Sequence, residues 1–203
     1  MRKSVFILLA ALASCDKRSL DSASMFSKNG ELKEKIALVQ MIDSSSHSQN
    51  WDISSELCGY LSQDLGRKDT LYVIPTGDQI QLSSLKNPFS KNISWIEQDF
   101  HHINYIAFTE LLKYDEAPEE DPQIAHNLDI SVRVRVFKKT DTGYTPILQE
   151  IVQQSYILPS LLTNSLSLQP DFNDAGYELS PLGIAHKNFS SLISKRIRDY
   201  INP

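Results

Sequence analysis

The stretch from Asn127 to Lys138 limits the possible folds of this chain more than any other, because apolar residues occupy every second position from 128 to 136. These positions are Leu128, Ile130, Val132, Val134 and Val136, and between them lie Asp129, Ser131, Arg133 and Arg135. Successive side chains of a strand point to opposite faces, so the pattern predicts one face on a core and the other in water. Turn residues at 140–143 and an apolar segment at 147–158 predict a long antiparallel hairpin.

Upstream, residues 35–74 have the pattern of a βαβ unit. The nearly continuous apolar run at 35–42 predicts a buried strand, and 71–74 predicts a second one. Between them, Asp52 is placed to cap a helix that ends at Gly66. A helical connection of this length joins parallel strands, so we expect these two strands to be parallel.

The remaining segments complete an α+β fold. Residues 104–112 have the pattern of a third strand, and residues 93–102 have that of a short helix. The acid-rich stretch at 114–126 predicts an exposed loop. Ser180 is placed to cap a C-terminal amphipathic helix. The expected architecture is a mixed sheet, built from the βαβ unit and the hairpin, with helices packed on one face.

The amino terminus predicts export and anchoring. Arg2 and Lys3 precede an apolar run at 5–12 that is too short to span a membrane, which takes roughly 20 apolar residues. Leu12-Ala13-Ser14-Cys15 resembles the lipobox of bacterial lipoproteins. That resemblance implies cleavage between Ser14 and Cys15 and a lipid on the Cys15 sulfur.

These observations divide the chain into three parts: a signal peptide at 1–14, a lipidated cysteine with a polar tether at 15–34, and one globular domain at 35–203. Acyl chains on Cys15 would hold the domain at a periplasm-facing membrane surface. The outer membrane is favoured, although Asp16 leaves the inner membrane open, since an aspartate there retains some lipoproteins. With Cys15 lipidated, Cys58 is left without a disulfide partner.

The composition narrows the function classes. The net charge of −5 argues against a nucleic-acid partner, because proteins that bind the phosphate backbone carry an excess of Lys and Arg. No nucleophile elbow, metalloprotease motif or phosphate-binding loop is present, so we expect no catalytic residue, no metal and no cofactor. Arg133 and Arg135 share the polar face of their strand and, with Lys138, are candidates for contact with an anionic partner. The alternative is that these charges only keep a solvent-facing part of the sheet from associating with other strands.

The order of elements resembles a periplasmic domain shared by the TolB amino-terminal domain, LpoB-type activators and CsgG-type secretion lipoproteins. The resemblance rests on KIALVQMID, SSELCGYLSQDL, LYVIP and HINYIAFTELL, in that order along the chain. LPS-assembly lipoproteins of the LptE type have a similar succession. These stretches are generic apolar patterns, so the resemblance bears on fold more than on function.

The sequence therefore predicts a non-catalytic lipoprotein of the bacterial envelope, an accessory or scaffold component of an assembly system. Its expected partners are membrane lipid, through Cys15, and an envelope protein. The alternative is a periplasmic carrier of lipid or glycan, as in an LptE-like role, which requires a cavity of a few hundred Å³. An enzyme is the least favoured class.

Overall fold

The computed structural model describes residues 25–47, 51–67, 70–75, 86–118, 125–159 and 175–202. The strands are β1 (Glu34–Leu38), β2 (Ile42–Asp43), β3 (Leu71–Pro75), β4 (Tyr105–Pro118), β5 (Ala125–Thr140) and β6 (Gly143–Pro159). The helices are α1 (Ile53–Gly66), α2 (Ser94–Phe100), α3 (Ala175–Glu178) and α4 (Pro181–Ile201). In the described part of the chain, no helix is both long and apolar enough to cross a membrane.

The strands form one mixed sheet in the order β3-β1-β4-β5-β6, with the short β2 also paired to β4. β1 runs parallel to both β3 and β4, whereas β4, β5 and β6 are antiparallel neighbours. At the centre of the antiparallel half, Val132 lies opposite Leu111 on one side and Val152 on the other. The predicted fold class, a mixed sheet containing a βαβ unit, a long hairpin and a C-terminal helix, is confirmed.

The sheet has apolar clusters on both faces. The larger cluster joins α1 and α4 to side chains such as Leu38, Leu111 and Val134. The smaller one joins α2 to Ile106, Phe108 and Phe137. The prediction located helices on one face only, and the structure adds α2 on the other, because Ile96 and Phe100 on one side of this short helix are both buried there.

β4 is longer than predicted. The expected loop at 114–126 is wrong for residues 114–118, which continue β4, and for 125–126, which begin β5. The two strands pair as far as Pro118 opposite His126. The strand tolerates this acidic stretch because Tyr114 is buried while Asp115 and Glu116 point to solvent. Residues 119–124 lie outside the described ranges.

Both predicted helix caps are present. An Asp52 side-chain oxygen accepts from the Ser55 backbone N–H at 2.9 Å, and Ser180 Oγ accepts from the Gly183 N–H at 3.1 Å. Each bond satisfies one of the N–H groups that the first turn of a helix leaves without a partner. These caps fix where α1 and α4, the two helices of the larger cluster, begin.

Part of the predicted tether is folded. A bridge between Phe26 and Leu32 closes a small turn, in which the Lys33 N–H donates to the Met25 carbonyl at 2.9 Å. Gly30 occupies the turn with φ of 79°, a conformation that glycine adopts without steric cost. This turn leads directly into β1.

Candidate functional site

The residues that carry the anchor prediction, Ser14 and Cys15, lie outside the described ranges, as does Asp16. The other cysteine, Cys58, is a free, buried thiol in α1 with its Sγ 3.9 Å from the Val39 carbonyl oxygen. Burial raises the pKa of this thiol above its ordinary value. A buried thiol with a raised pKa has little thiolate, so Cys58 is poorly suited to nucleophilic or redox chemistry.

Arg135, one of the three cations predicted for anion contact, lies beneath the segment that precedes α2. Its side chain is buried, and one terminal nitrogen donates to the carbonyl oxygens of Pro88 at 2.7 Å and Ser90 at 2.8 Å. The guanidinium also lies over the Phe137 ring at 4.7 Å. Arg135 therefore fastens residues 88–90 to the sheet.

The other two cations are accessible but lie on opposite faces of β5. A terminal nitrogen of Arg133 lies 3.2 Å from Glu110 Oε2, and its guanidinium lies over the Phe89 ring at 5.1 Å. Lys138 is exposed, with Nζ 5.7 Å from the centre of the Tyr105 ring, which belongs to the larger cluster. The structure thus brings Arg133 and Arg135 together and separates Lys138 from them.

A buried polar cluster that the sequence did not single out joins α1, α3, α4 and β4; we call it the Glu56 network. His186 Nδ1 lies 2.9 Å from Glu56 Oε1 and 3.1 Å from the Tyr177 hydroxyl, which itself donates to Glu56 Oε1 at 2.7 Å. On the other side of the ring, His186 Nε2 lies 3.0 Å from the Tyr114 hydroxyl. The members of the Glu56 network are Glu56, Tyr114, Tyr177 and His186.

A carboxylate only accepts hydrogen bonds, so His186 Nδ1–H donates to Glu56. The Tyr114 hydroxyl lies 3.0 Å from His186 Nε2 and 3.4 Å from Glu116 Oε1. Burial, reinforced by the charges of Glu116 and Glu56, raises the pKa of Tyr114 far above its ordinary value. Burial and the Glu56 charge have the same effect on the pKa of Tyr177. Both phenols therefore stay protonated as hydrogen-bond donors.

A carboxylate, an imidazole and two phenols in contact are groups that could move a proton, but this cluster is closed. The side chain of His186 is 0% exposed and that of Glu56 is 2% exposed. A general base must come within hydrogen-bond reach of a substrate, which this burial prevents in the structure as it stands. The arrangement can therefore hold three helices and a strand together, and it offers no surface for catalysis.

The sequence contained only a weak signal for this network. His186 follows Ala185 and precedes Phe189 on the apolar stripe of α4, and Glu56 interrupts the buried positions of α1. Each is a polar residue on a core-facing side, which requires a partner. The partners are 130 residues apart in the chain, so sequence spacing could not reveal them.

A polar groove lies between α1 and α4. It has a volume of about 210 Å³ and is lined by charged and amide side chains that include Asp64, Arg67, Lys187 and Asn188. Asp64 already accepts from Arg198 at 3.1 Å. Among the described residues, no group of three His, Cys, Asp or Glu side chains is placed to hold a metal ion.

Comparison with solved structures finds several matches. The hypothetical protein CT253 from Chlamydia trachomatis is 21% identical, with a TM-score of 0.67, over 84% of this chain and 98% of that one. Lipoprotein GNA1162 from Neisseria meningitidis is 12% identical, with a TM-score of 0.42, over 84% and 99% of the two chains. A PelC dodecamer from Paraburkholderia phytofirmans is 7% identical, with a TM-score of 0.45, over 79% and 86%.

The likeness to CT253 shows a shared fold and, at this identity, nothing about activity. None of the curated proteins matches the chain. A family described as "Family of unknown function (DUF7499)" matches residues 23–203, a range that includes the sheet and the four helices of the described residues.

Proposed function

The chain belongs to the DUF7499 family, and we propose that it is a lipid-anchored protein of the bacterial cell envelope that serves a larger assembly as a non-catalytic accessory or scaffold. The observation that carries the anchor is Leu12-Ala13-Ser14-Cys15, directly after a short apolar run. Two or three acyl chains, at ~0.8 kcal/mol per buried CH₂, give stable attachment to a membrane. The outer membrane remains the favoured location.

The described interior supports a scaffold more than a catalyst or a carrier. The Glu56 network, with its carboxylate, imidazole and two phenols, is sealed between helices and sheet. The groove between α1 and α4 is small and lined with charges, whereas a lipid carrier uses an apolar cavity of several hundred Å³. What remains accessible is protein surface, which suits docking.

The anchor is tested by metabolic labelling with a palmitate analogue in a Gram-negative host that expresses the full chain. We expect the unaltered protein to incorporate label and Cys15→Ser to lose it. Cys58→Ser is the matched control and should label normally, because Cys58 is buried in α1. Label that persists in Cys15→Ser, or an unaltered chain that never labels, would contradict the anchor.

The accessory role is tested separately by placing a photo-crosslinking amino acid at position 133 in cells. Arg133 is half-exposed on the face of the sheet opposite α1 and α4, where a partner can reach it. We expect one reproducible adduct with another envelope protein, and none from the same probe at Leu32, an exposed apolar residue of the small turn that precedes β1. If position 133 forms no adduct beyond that control, this face is not a docking surface.

A further inference from the structure

The outer edge of β6 is open in the described part of the chain. β6 is the last strand in the sheet order, and of the described strands it pairs only with β5. Such an edge presents a row of backbone N–H and C=O groups to any strand that can align with it. The stretch between Pro146 and Pro159 is free of proline, so it has a complete set of donors.

Edge strands are usually protected by lysines, bulges or inward charges, and the centre of β6 has few of these devices. Between its two prolines, β6 contains no Lys or Arg, and Glu150 is its only charged residue. Glu150 is already engaged within the molecule, with Oε1 3.8 Å from Arg196 Nε. The irregularity in the β5 and β6 pairing lies near one end, at Val136 and Phe137.

The middle residue of β6 is an exposed isoleucine. Ile151 is 52% exposed on the face opposite α4, between the exposed Gln149 and Gln153. The residues before and after it in the strand, Glu150 and Val152, point to the other face, toward α4 and the larger cluster. An apolar side chain at the centre of an unblunted edge suits contact with another strand.

We propose that two copies of this chain associate through β6, with the strands antiparallel and Ile151 on the twofold axis. In this register each Ile151 meets the other copy's Ile151, and each Gln149 lies opposite a Gln153 whose amide can exchange hydrogen bonds with it. A register centred on Glu150 would place two carboxylates side by side and is disfavoured. The two sheets then continue into one, with α1 and α4 of both copies on the same face.

A second copy is favoured over an unrelated partner because the strand is self-complementary. The one charge of this edge, Glu150, is paired with Arg196 within the molecule and offers no charge pattern to select a foreign strand. Apolar-on-apolar and amide-on-amide pairs, by contrast, arise when β6 meets itself. An isologous pairing uses the β6 edge of each copy, the longer of the two described sheet edges, and therefore closes at two. The opposite edge, β3, has only five residues. This inference does not depend on the lipid anchor.

Disulfide trapping tests the register. The full chain carries Cys15→Ser to remove that thiol, and Cys58 stays buried. Opposed residues of antiparallel strands have Cα atoms about 4.5–5.5 Å apart, within the range a disulfide spans. We expect Ile151→Cys to form a covalent dimer on oxidation. Ile157→Cys, at 69% exposure more accessible, should not, since the two copies of that position would lie roughly 40 Å apart.

The oligomeric state tests the surface itself. We expect the full chain to sediment as a dimer and Ile151→Lys to weaken the association at least about tenfold, because two ammonium groups would meet on the axis. Leu32→Lys, an equally drastic change at an exposed residue away from the sheet edge, should leave the dimer intact. A monomeric unaltered chain, a dimer indifferent to Ile151→Lys, or equal trapping at positions 151 and 157 would overturn the proposal.

Discussion

The two faces of the sheet are each fastened by a buried polar cluster, and the two clusters work differently. On the face of α1 and α4, the Glu56 network joins side chain to side chain, with a carboxylate against an imidazole. On the face of α2, Arg135 joins a side chain to backbone, donating to two carbonyl oxygens of residues 88–90. One cluster contains titratable groups and the other a charge that persists at every physiological pH.

This difference separates two kinds of stability. The Glu56 network closes contacts between helices and a strand far apart in the chain, so its loss should loosen the whole larger cluster. The Arg135 contacts hold a short segment against a finished sheet, so their loss should remain local. We therefore expect mutations to act globally on one face and locally on the other.

The largest effect should come from His186→Ala. This change leaves the Glu56 carboxylate buried with only the Tyr177 hydroxyl beside Oε1, and Oε2 has no hydrogen-bond partner among the described groups. Removing one member of a buried polar pair costs about 3–5 kcal/mol. We expect that loss in the free energy of unfolding, measured with urea.

Two variants make this result specific. His102→Ala, at an exposed histidine, should change the free energy of unfolding by less than about 0.5 kcal/mol. Glu56→Gln keeps the shape and removes the charge, so it should cost less than His186→Ala. If His186→Ala proves as mild as His102→Ala, the network does not stabilise the larger cluster.

An intermediate effect should follow Arg135→Met, which keeps the length of the side chain and removes the nitrogen that donates to both carbonyl oxygens. Hydrogen bonds from a charged group contribute about 1.5–3 kcal/mol, and the Pro88 and Ser90 carbonyls would lose theirs. We expect this loss together with faster hydrogen exchange confined to residues 86–91. Arg133→Met, on the same face but half-exposed, should cost less than about 1 kcal/mol. Equal losses in the two variants would contradict the structural role of Arg135.

How far the sequence predicts this molecule depends on the range of the interactions. The strand at 127–138, the caps Asp52 and Ser180, and the parallel pair β1 and β3 are governed by periodicity and local hydrogen bonds, and all were predicted. The continuation of β4 to Pro118 was missed because its acids resemble a loop. These residues form a strand only because they pair with β5 and because Tyr114 is buried.

The sites follow the same rule. Arg133 and Arg135 alternate identically in the sequence, yet one is half-exposed and the other is buried under residues 88–90, a contact that spans more than forty positions. The Glu56 network spans a still longer separation, and no local pattern marks its four members as neighbours. Strand periodicity therefore predicted which face a side chain occupies, and only the tertiary structure showed what covers that face.

The smallest effect sharpens the contrast in pH dependence between the two faces. Burial by itself would raise the pKa of Asp52, but hydrogen bonds from Ser55 and Ser54 outweigh it, and the pKa lies below its ordinary value. A carboxylate with a depressed folded-state pKa contributes stability that is complete above its unfolded pKa and is lost as the pH falls through the folded value. Asp52→Asn keeps an oxygen to cap α1 and abolishes this titration.

We therefore expect Asp52→Asn to cost less than about 1 kcal/mol near neutral pH and to flatten the decline in stability below pH ~4. Arg135→Met should lower the free energy of unfolding by the same amount across this pH range, because the guanidinium does not titrate there. Urea unfolding of both variants from neutral to acidic pH makes the comparison. If Arg135→Met flattens the decline in stability at acidic pH, or if Asp52→Asn leaves that decline unchanged, acid sensitivity is not concentrated on the face of α1 and α4.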